Sequence, residues 1–427
     1  MSARLPQVPV EHGTVRLVGA MIIDGVSDEP LENGELEFRD GVITYVGPQR
    51  SHAVNGTKTV DLTGGTITPG FIDLHVHMAM PNDVDDSVIR WWFPEEEHFA
   101  TANSLRQTLE AGVTSARDLS GLTPGFRNAI ARGWIDGPRM HLSVSMLSPT
   151  GGHADPVAPN GALPVYAQRA TTPGWVVADT DEEIVKAVRR LDMIGADVIK
   201  ICTTGGLSTD FDSAAALGVP CEQIELIGRT VKRLRNQPIA AHSQSREGTW
   251  EAVRGGVTTV EHAFGIDNDA LLAEILKRGT IIVPTLSVLN RISPKRYPTP
   301  DAVARRRQRI KEGMYAISKA IRAGVRIAAG TDSGITRHGS NLTELGYLVD
   351  AGMTPLQAIH AATAVGAEAM GLSGLIGTLE TGKMADIVLS DVDPSTSEGI
   401  HAIADSRHIR AVWQSGRIVK DLDGLAR

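Results

Sequence analysis

The feature that most constrains this 427-residue chain is an alternation that begins at Phe71. Eight short apolar runs follow one another: Phe71–His77, Val113–Asp118, Pro138–Val144, Asp197–Cys202, Ile239–His242, Val257–His262, Thr280–Pro284 and Val325–Asp332. Helical patterns lie between them at Asn103–Ala111, Asp181–Ile194, Ile224–Asn236, Gly248–Gly255, Asn268–Arg278 and Pro300–Ala323, and Thr354–Met370 follows the last run. Strands that alternate with helices build βα units on a parallel sheet. Eight is the number that closes a (β/α)8 barrel, so an α/β TIM barrel is expected over residues 67–372.

Outside that alternation the pattern is β. Val15–Val18, Gly34–Phe38 and Gly41–Gly47 read as strands, and Asp40-Gly41 is a tight-hairpin signal. Ile387–Leu389, Ala411–Trp413 and Arg417–Val419 read the same way near the other end. We expect residues 1–66 and 373–427 to pair into one small β-sandwich domain, with the barrel inserted in it.

Composition serves mainly to exclude. Hydrophobic residues at 42% and charged residues at 22% describe a packed chain rather than a disordered one. A net charge of -8 with scattered positive residues argues against nucleic acid as a partner. The one dense basic run, Arg305-Arg306-Arg307, reads as a solvated helix face. Apolar runs fall short of the roughly 18 residues that a membrane span needs. Met1 to Glu11 lacks the apolar core of a signal peptide. With Cys202 and Cys221 as the only cysteines, a disulfide framework is not expected and a cytoplasmic location is. The expected partners are a small-molecule substrate and further copies of the chain, as a homo-oligomer, with no nucleic acid and no membrane. No Gly-x-Ser-x-Gly elbow, P-loop or dinucleotide fingerprint occurs where a strand meets a helix.

Reactive groups of such barrels stand at the C-terminal ends of the strands. Those ends carry His75 and His77, then Asp118, Lys200, His242, His262 and Asp332. Residues i and i+2 of a strand point to one side, so His75 and His77 can face a single ion. Any one of these residues taken alone reads as structural. Their coincidence at strand ends, in a chain with 13 His, points to a divalent transition metal.

Thr68-Pro69-Gly70-Phe71-Ile72-Asp73-Leu74-His75-Val76-His77, the strand-end His242 and His262, and Gly330-Thr331-Asp332 together resemble the amidohydrolase superfamily. Gly382-Lys383-Met384-Ala385-Asp386-Ile387-Val388 is similar to that family's return into its sandwich domain. The strand Val198-Ile199-Lys200-Ile201 and the loop Gly151-Gly152-His153 further resemble its metal-dependent dipeptidase and carboxypeptidase branch, prolidase-like and related to imidazolonepropionase. The resemblance implies two divalent ions, Zn2+ being the expected metal. It places His75, His77 and Asp332 on the first and His242 and His262 on the second. Lys200, carboxylated to N6-carboxylysine, would bridge them; the alternative is an ordinary lysine paired with Asp118 or Asp332.

The expected reaction is hydrolysis of a C–N amide bond in a dipeptide or N-acyl amino acid by a metal-bridging hydroxide, with Asp332 as base. His153 is a candidate to bind an oxyanion or a substrate carboxylate, or else stabilises its loop. Gln244 and Arg246 are candidate substrate contacts, though Arg246 reads equally as a surface residue. The prolidase-like pattern has tyrosine where Gln244 stands. A deaminase would carry glutamate where Ser245 stands. Trp91, Trp92, Phe93 and Trp175 fit either an apolar substrate pocket or lid packing. The same centre acting on a non-peptide amide, an aryl urea or a carbamate is the alternative, and a metal-free scaffold protein is a third reading.

Overall fold

The computed structural model describes all residues except 1–5, 11, 52–56, 82–85, 90, 164–173, 207–211, 294–296, 298 and 426–427. Part of the N-terminal stretch and part of the connection from Ser148 to Thr180 therefore lie outside the described residues. The chain has a mixed α/β fold of TIM-barrel type, with parallel sheets in its central part. Three parallel strands, Phe71–Val76, Val113–Asp118 and Arg139–Leu142, form one sheet. Six more form a second sheet in the order Trp175–Val177, Met146–Ser148, Ile199–Cys202, Ile239–Ser243, Thr259–His262, Ile281–Val283.

The third apolar run is the place where one sheet gives way to the other. Val144 has φ 66, a left-handed conformation that a β-branched residue rarely adopts. The run breaks there: Arg139–Leu142 pairs with Val113–Asp118, and Met146–Ser148 pairs with Ile199–Cys202. Asp197 N still donates to Leu142 O at 2.7 Å. At the other edge the eighth run, Val325–Asp332, joins by single bridges rather than as the continuous strand expected. Ile327 bridges Ile282 and Ser333 bridges Val76. Gly330 explains the close approach, since a Cβ there would lie 2.4 Å from Val283 Cγ1 and 3.0 Å from His75 Cβ. Leu74 N donates to Ala329 O at 3.0 Å and Asp332 N to His75 O at 2.7 Å.

The helices follow from amphipathic patterning and caps. Thr180 and Glu183 form a capping box at the start of Asp181–Ile194, which ends on left-handed Gly195. Ile184, Ala187, Val188 and Leu191 form its buried face. The helix expected from Asn103 begins earlier, as Pro94–Glu110, because Phe93-Pro94 and the acidic run Glu95–Glu97 supply a first turn. The helices expected over Thr354–Met370 form as Pro355–Ala361 and Ala364–Ala369, with non-helical Thr363 between them. Arg306 is a further correction. It is buried, and its guanidinium donates to Val288 O and Leu289 O, so only Arg305 and Arg307 of that run face solvent.

The two ends of the chain meet in one eight-stranded sheet. Thr14–Ile22 pairs with Leu31–Arg39 and with Thr66–Pro69, which in turn pairs with Ile387–Ser390. Ile409–Gln414 and Arg417–Asp421 extend it. The Asp40-Gly41 turn forms as expected, with φ 49 and 77 between the paired Arg39 and Val42. Leu17, Ile22, Leu36, Phe38, Ile67, Ile387 and Trp413 make its own apolar cluster, separate from that between central strands and helices. Buried Arg139 ties this sheet to the parallel strands through Asp386 and Ser415.

Candidate metal centre

The strand ends bring the expected histidines together. His75, His77, His242 and His262 are all buried. Ring centroids lie 5.4 Å apart for His75 and His77, 5.0 Å for His75 and His262, and 4.6 Å for His242 and His262. Asp332 Oδ1 is 3.3 Å from His77 Nε2 and 3.7 Å from His75 Nε2. Ligand atoms of His75, His262 and Asp332 all lie within 4.8 Å of one another. His153 reaches the cluster from its Gly-Gly loop and stacks on His242, with centroids 3.9 Å apart and rings 16° from parallel. Two of the site's residues leave ordinary strand geometry: His262 has φ 69 and Asp332 φ 58. Such strained backbone is a property of functional sites.

The outer edge of each ring is held. His75 Nδ1 lies 2.9 Å from Glu261 Oε2, an acceptor, so the proton is on Nδ1 and Nε2 keeps its lone pair. His242 Nε2 donates to Gly205 O at 3.3 Å, which leaves Nδ1 as its free acceptor. His262 Nδ1 bonds Thr285 Oγ1 at 2.7 Å, and His77 Nδ1 lies 3.1 Å from Ser120 Oγ. Thr285 is itself left-handed, with φ 50. His153 Nδ1 donates to Asp212 Oδ2 at 2.6 Å, and Gly206 N donates to the same oxygen.

Burial sets most of the charge states. It pushes His262 down to about 3, and His75 and His242 well below the ordinary imidazole range. These are neutral imidazoles with lone pairs to offer. Burial also lowers His77, but the bond to Asp332 outweighs it and raises the group. Asp332 is buried as well, yet its carboxyl lies far below the usual carboxylate range, which its bond with the raised imidazole of His77 supports.

Lys200 is 1% exposed, and its Nζ has no hydrogen-bond partner among the described residues. Desolvation lowers its pKa toward the neutral amine. It does not pair with Asp118, whose oxygens accept from the backbone N–H groups of Met78, Ser120 and Leu122 and brace the turn after the first strand. Gln244 Oε1 is buried without a hydrogen-bond partner among the described residues. Arg246 is 46% exposed and bonds Asp267 at 2.8 Å. Trp91 and Phe93 are exposed. Glu261, Thr285 and Asp212, which bond His75, His262 and His153, and Arg117, which bonds Glu261, escape a reading of strand ends alone. The acidic residue directly before His262 is the one local signal.

A scaffold of TIM-barrel type thus gathers imidazoles and a carboxylate at its strand ends, a donor set that could hold a metal ion. Residues 66–419 match the amidohydrolase family, and the chain belongs to it. It is 29% identical to ochratoxinase of Aspergillus niger over 96% of this chain and 88% of that protein. It is 25% identical to imidazolonepropionase of Pseudomonas putida over 85% of this chain and 88% of that protein. The crystal structure of a prolidase complexed with N-methylphosphonate-L-proline superposes with a TM-score of 0.86 at 28% identity, over 96% of this chain and 100% of the other. The chain is accordingly a hydrolase acting on carbon–nitrogen bonds.

Proposed function

We propose that this chain is a binuclear metal-dependent amidohydrolase that cleaves the amide bond of a dipeptide or an N-acyl amino acid. One observation carries the metal. His75 donates its Nδ1–H to Glu261, so its Nε2 lone pair faces the Asp332 carboxylate at 3.7 Å. Two electron-pair donors aimed at each other are reconciled by a cation between them. The donor set of imidazole nitrogen and carboxylate oxygen suits Zn2+. His75, His77 and Asp332 would hold one ion and His242 and His262 the other.

Lys200 fits a bridging role once carboxylated. Its buried amine, its pKa lowered by desolvation, would in the neutral form add CO2 and release a proton, and the carbamate would offer its oxygens to the ions. When bound, the ions supply a water of lowered pKa and a polarised substrate carbonyl. Asp332 takes the water's proton as the oxygen adds to the carbonyl carbon. It returns that proton to the amine nitrogen as the C–N bond breaks. His153, oriented by Asp212, donates from Nε2 to the substrate's oxygen or carboxylate.

The bridges at Ile327 and Ser333 and the bond from Asp197 to Leu142 support closure of the parallel strands into a (β/α)8 barrel over residues 67–372. Residues 1–66 and 373–427 then form the small sandwich. A second reading keeps the centre and changes the substrate to a non-peptide amide, aryl urea or carbamate. Gln244 favours it, because a glutamine as donor differs in reach and acidity from the tyrosine of prolidase-like chains, and its buried Oε1 has no hydrogen-bond partner among the described residues.

The test is a screen of dipeptides, N-acyl amino acids and neutral anilides against Zn2+-loaded protein, with metal content measured on the same sample. Turnover confined to substrates with a free carboxylate supports the first reading. Turnover of anilides supports the second. A protein without bound divalent ion, inactive after metal addition, would sink both.

A further inference from the structure

Behind the candidate centre lies a pair of charges that none of the steps above employs. Arg117 and Glu261 are both fully buried, with Nη2 2.8 Å from Oε1. They come from the parallel strands Val113–Asp118 and Thr259–His262, in the second and sixth of the apolar runs. The guanidinium has two further anchors. Its Nε donates to Leu74 O at 2.7 Å, on the residue before His75, and its Nη1 to Thr259 Oγ1 at 3.1 Å. Thr259 Oγ1 donates in turn to Glu261 Oε1 at 2.5 Å. That oxygen is thus taken by two donors, and the other, Oε2, is turned to His75 Nδ1 at 2.9 Å.

Stability does not explain the arrangement. A buried ion pair replaced by apolar side chains of similar volume is often neutral or stabilising. What apolar groups cannot do is hold an imidazole in one orientation and tautomer. A guanidinium has the fork geometry to lock a carboxylate's plane while tying down the backbone beside the ring it serves.

We infer that Arg117 and Glu261 are positioning residues that fix His75 with its Nδ1 proton inward and its Nε2 lone pair toward Asp332, and so set the affinity of the centre for its cation. The inference rests on the reading of His75 as a metal-binding residue. Partners that orient a metal-bound histidine are worth about 10–100-fold in metal affinity.

Glu261→Gln isolates the effect. Glutamine has one acceptor oxygen where three donors converge, so its NH2 must face either His75 or the Arg117–Thr259 pair. A second variant, Arg117→Met with Glu261→Leu, removes both charges and the acceptor beside His75, and guards against unfolding caused by an unpaired guanidinium. Two measurements are made on full-length protein. Nitrogen-15 histidine spectra of the metal-free chain, with His75 assigned by substitution, read the tautomer. Chelator competition reads Zn2+ affinity. The expected result is loss of the single Nδ1–H tautomer at His75 and Zn2+ binding weakened about 10–100-fold in both variants. Folded variants that bind Zn2+ as tightly as wild type overturn the inference, whatever the tautomer. A wild-type chain that binds no Zn2+ fails the metal reading itself, which the variants alone cannot produce.

Discussion

Replacing Asp332 with asparagine separates holding an ion from moving a proton. The carboxyl sits 6% exposed, with Oδ1 3.3 Å from His77 Nε2 and 3.7 Å from His75 Nε2. An amide fills the same volume and still offers an oxygen at that place. It carries no charge and does not accept a proton near neutral pH. Loss of a positioned general acid–base costs a factor of about 10²–10⁴, or roughly 3–5 kcal/mol of barrier. His75 and His77 remain, so ion binding should weaken without vanishing. The assay pairs kcat on an N-acyl amino acid with metal content on one preparation. The expected outcome is at least one ion retained and turnover down by about two to four orders of magnitude. Asparagine protein that turns over within about threefold of wild type would refute Asp332 as the proton carrier, since no other route would then be costing the barrier.

Three further outcomes test other parts of the structure. Lys200→Ala should lose most activity and one ion, and partial recovery with added short carboxylic acids would support a carbamate; metal content without and with acid decides it. Arg139→Met leaves the Asp386 carboxylate buried without its guanidinium, so denaturant unfolding should show a loss of about 3–5 kcal/mol, largely recovered by adding Asp386→Leu. Glu35, buried against Arg16 and Arg50, has its pKa lowered from 4.5 to about 2, the two guanidinium groups overcoming the upward push of burial. A carboxyl depressed by folding contributes stability above its unfolded pKa and loses it as pH falls. Melting temperature should therefore drop between pH 4.5 and about 2 in wild type, and Glu35→Gln should flatten that acid limb.

Much of the candidate site could be read along the chain because strands have a period of two and barrel chemistry gathers at strand ends. That logic located His75, His77, Lys200, His242, His262 and Asp332. It also located the Asp40-Gly41 hairpin, where only positive φ at both positions closes the turn. It failed where tertiary contact overrides local pattern. Glu261 and His262 are neighbours that alternation sends to opposite faces, yet both lie against His75, because His262 adopts φ 69 and the strand ends there. Arg306 looked solvated because a run of three arginines carries no sign of the Val288 and Leu289 carbonyls waiting across another helix. Val144 interrupts a strand run that a β-branched residue favours.

By itself the sequence determined the alternation of strands and helices, the hairpin, and the set of imidazole and carboxylate groups offered at the strand ends. These depend on periodicity and residue type, which are local. Only the tertiary structure decided which nitrogen of each ring is free, for that depends on partners as distant in the chain as Glu261 is from His75. A hydrogen bond across the core sets a tautomer, and no local pattern records it.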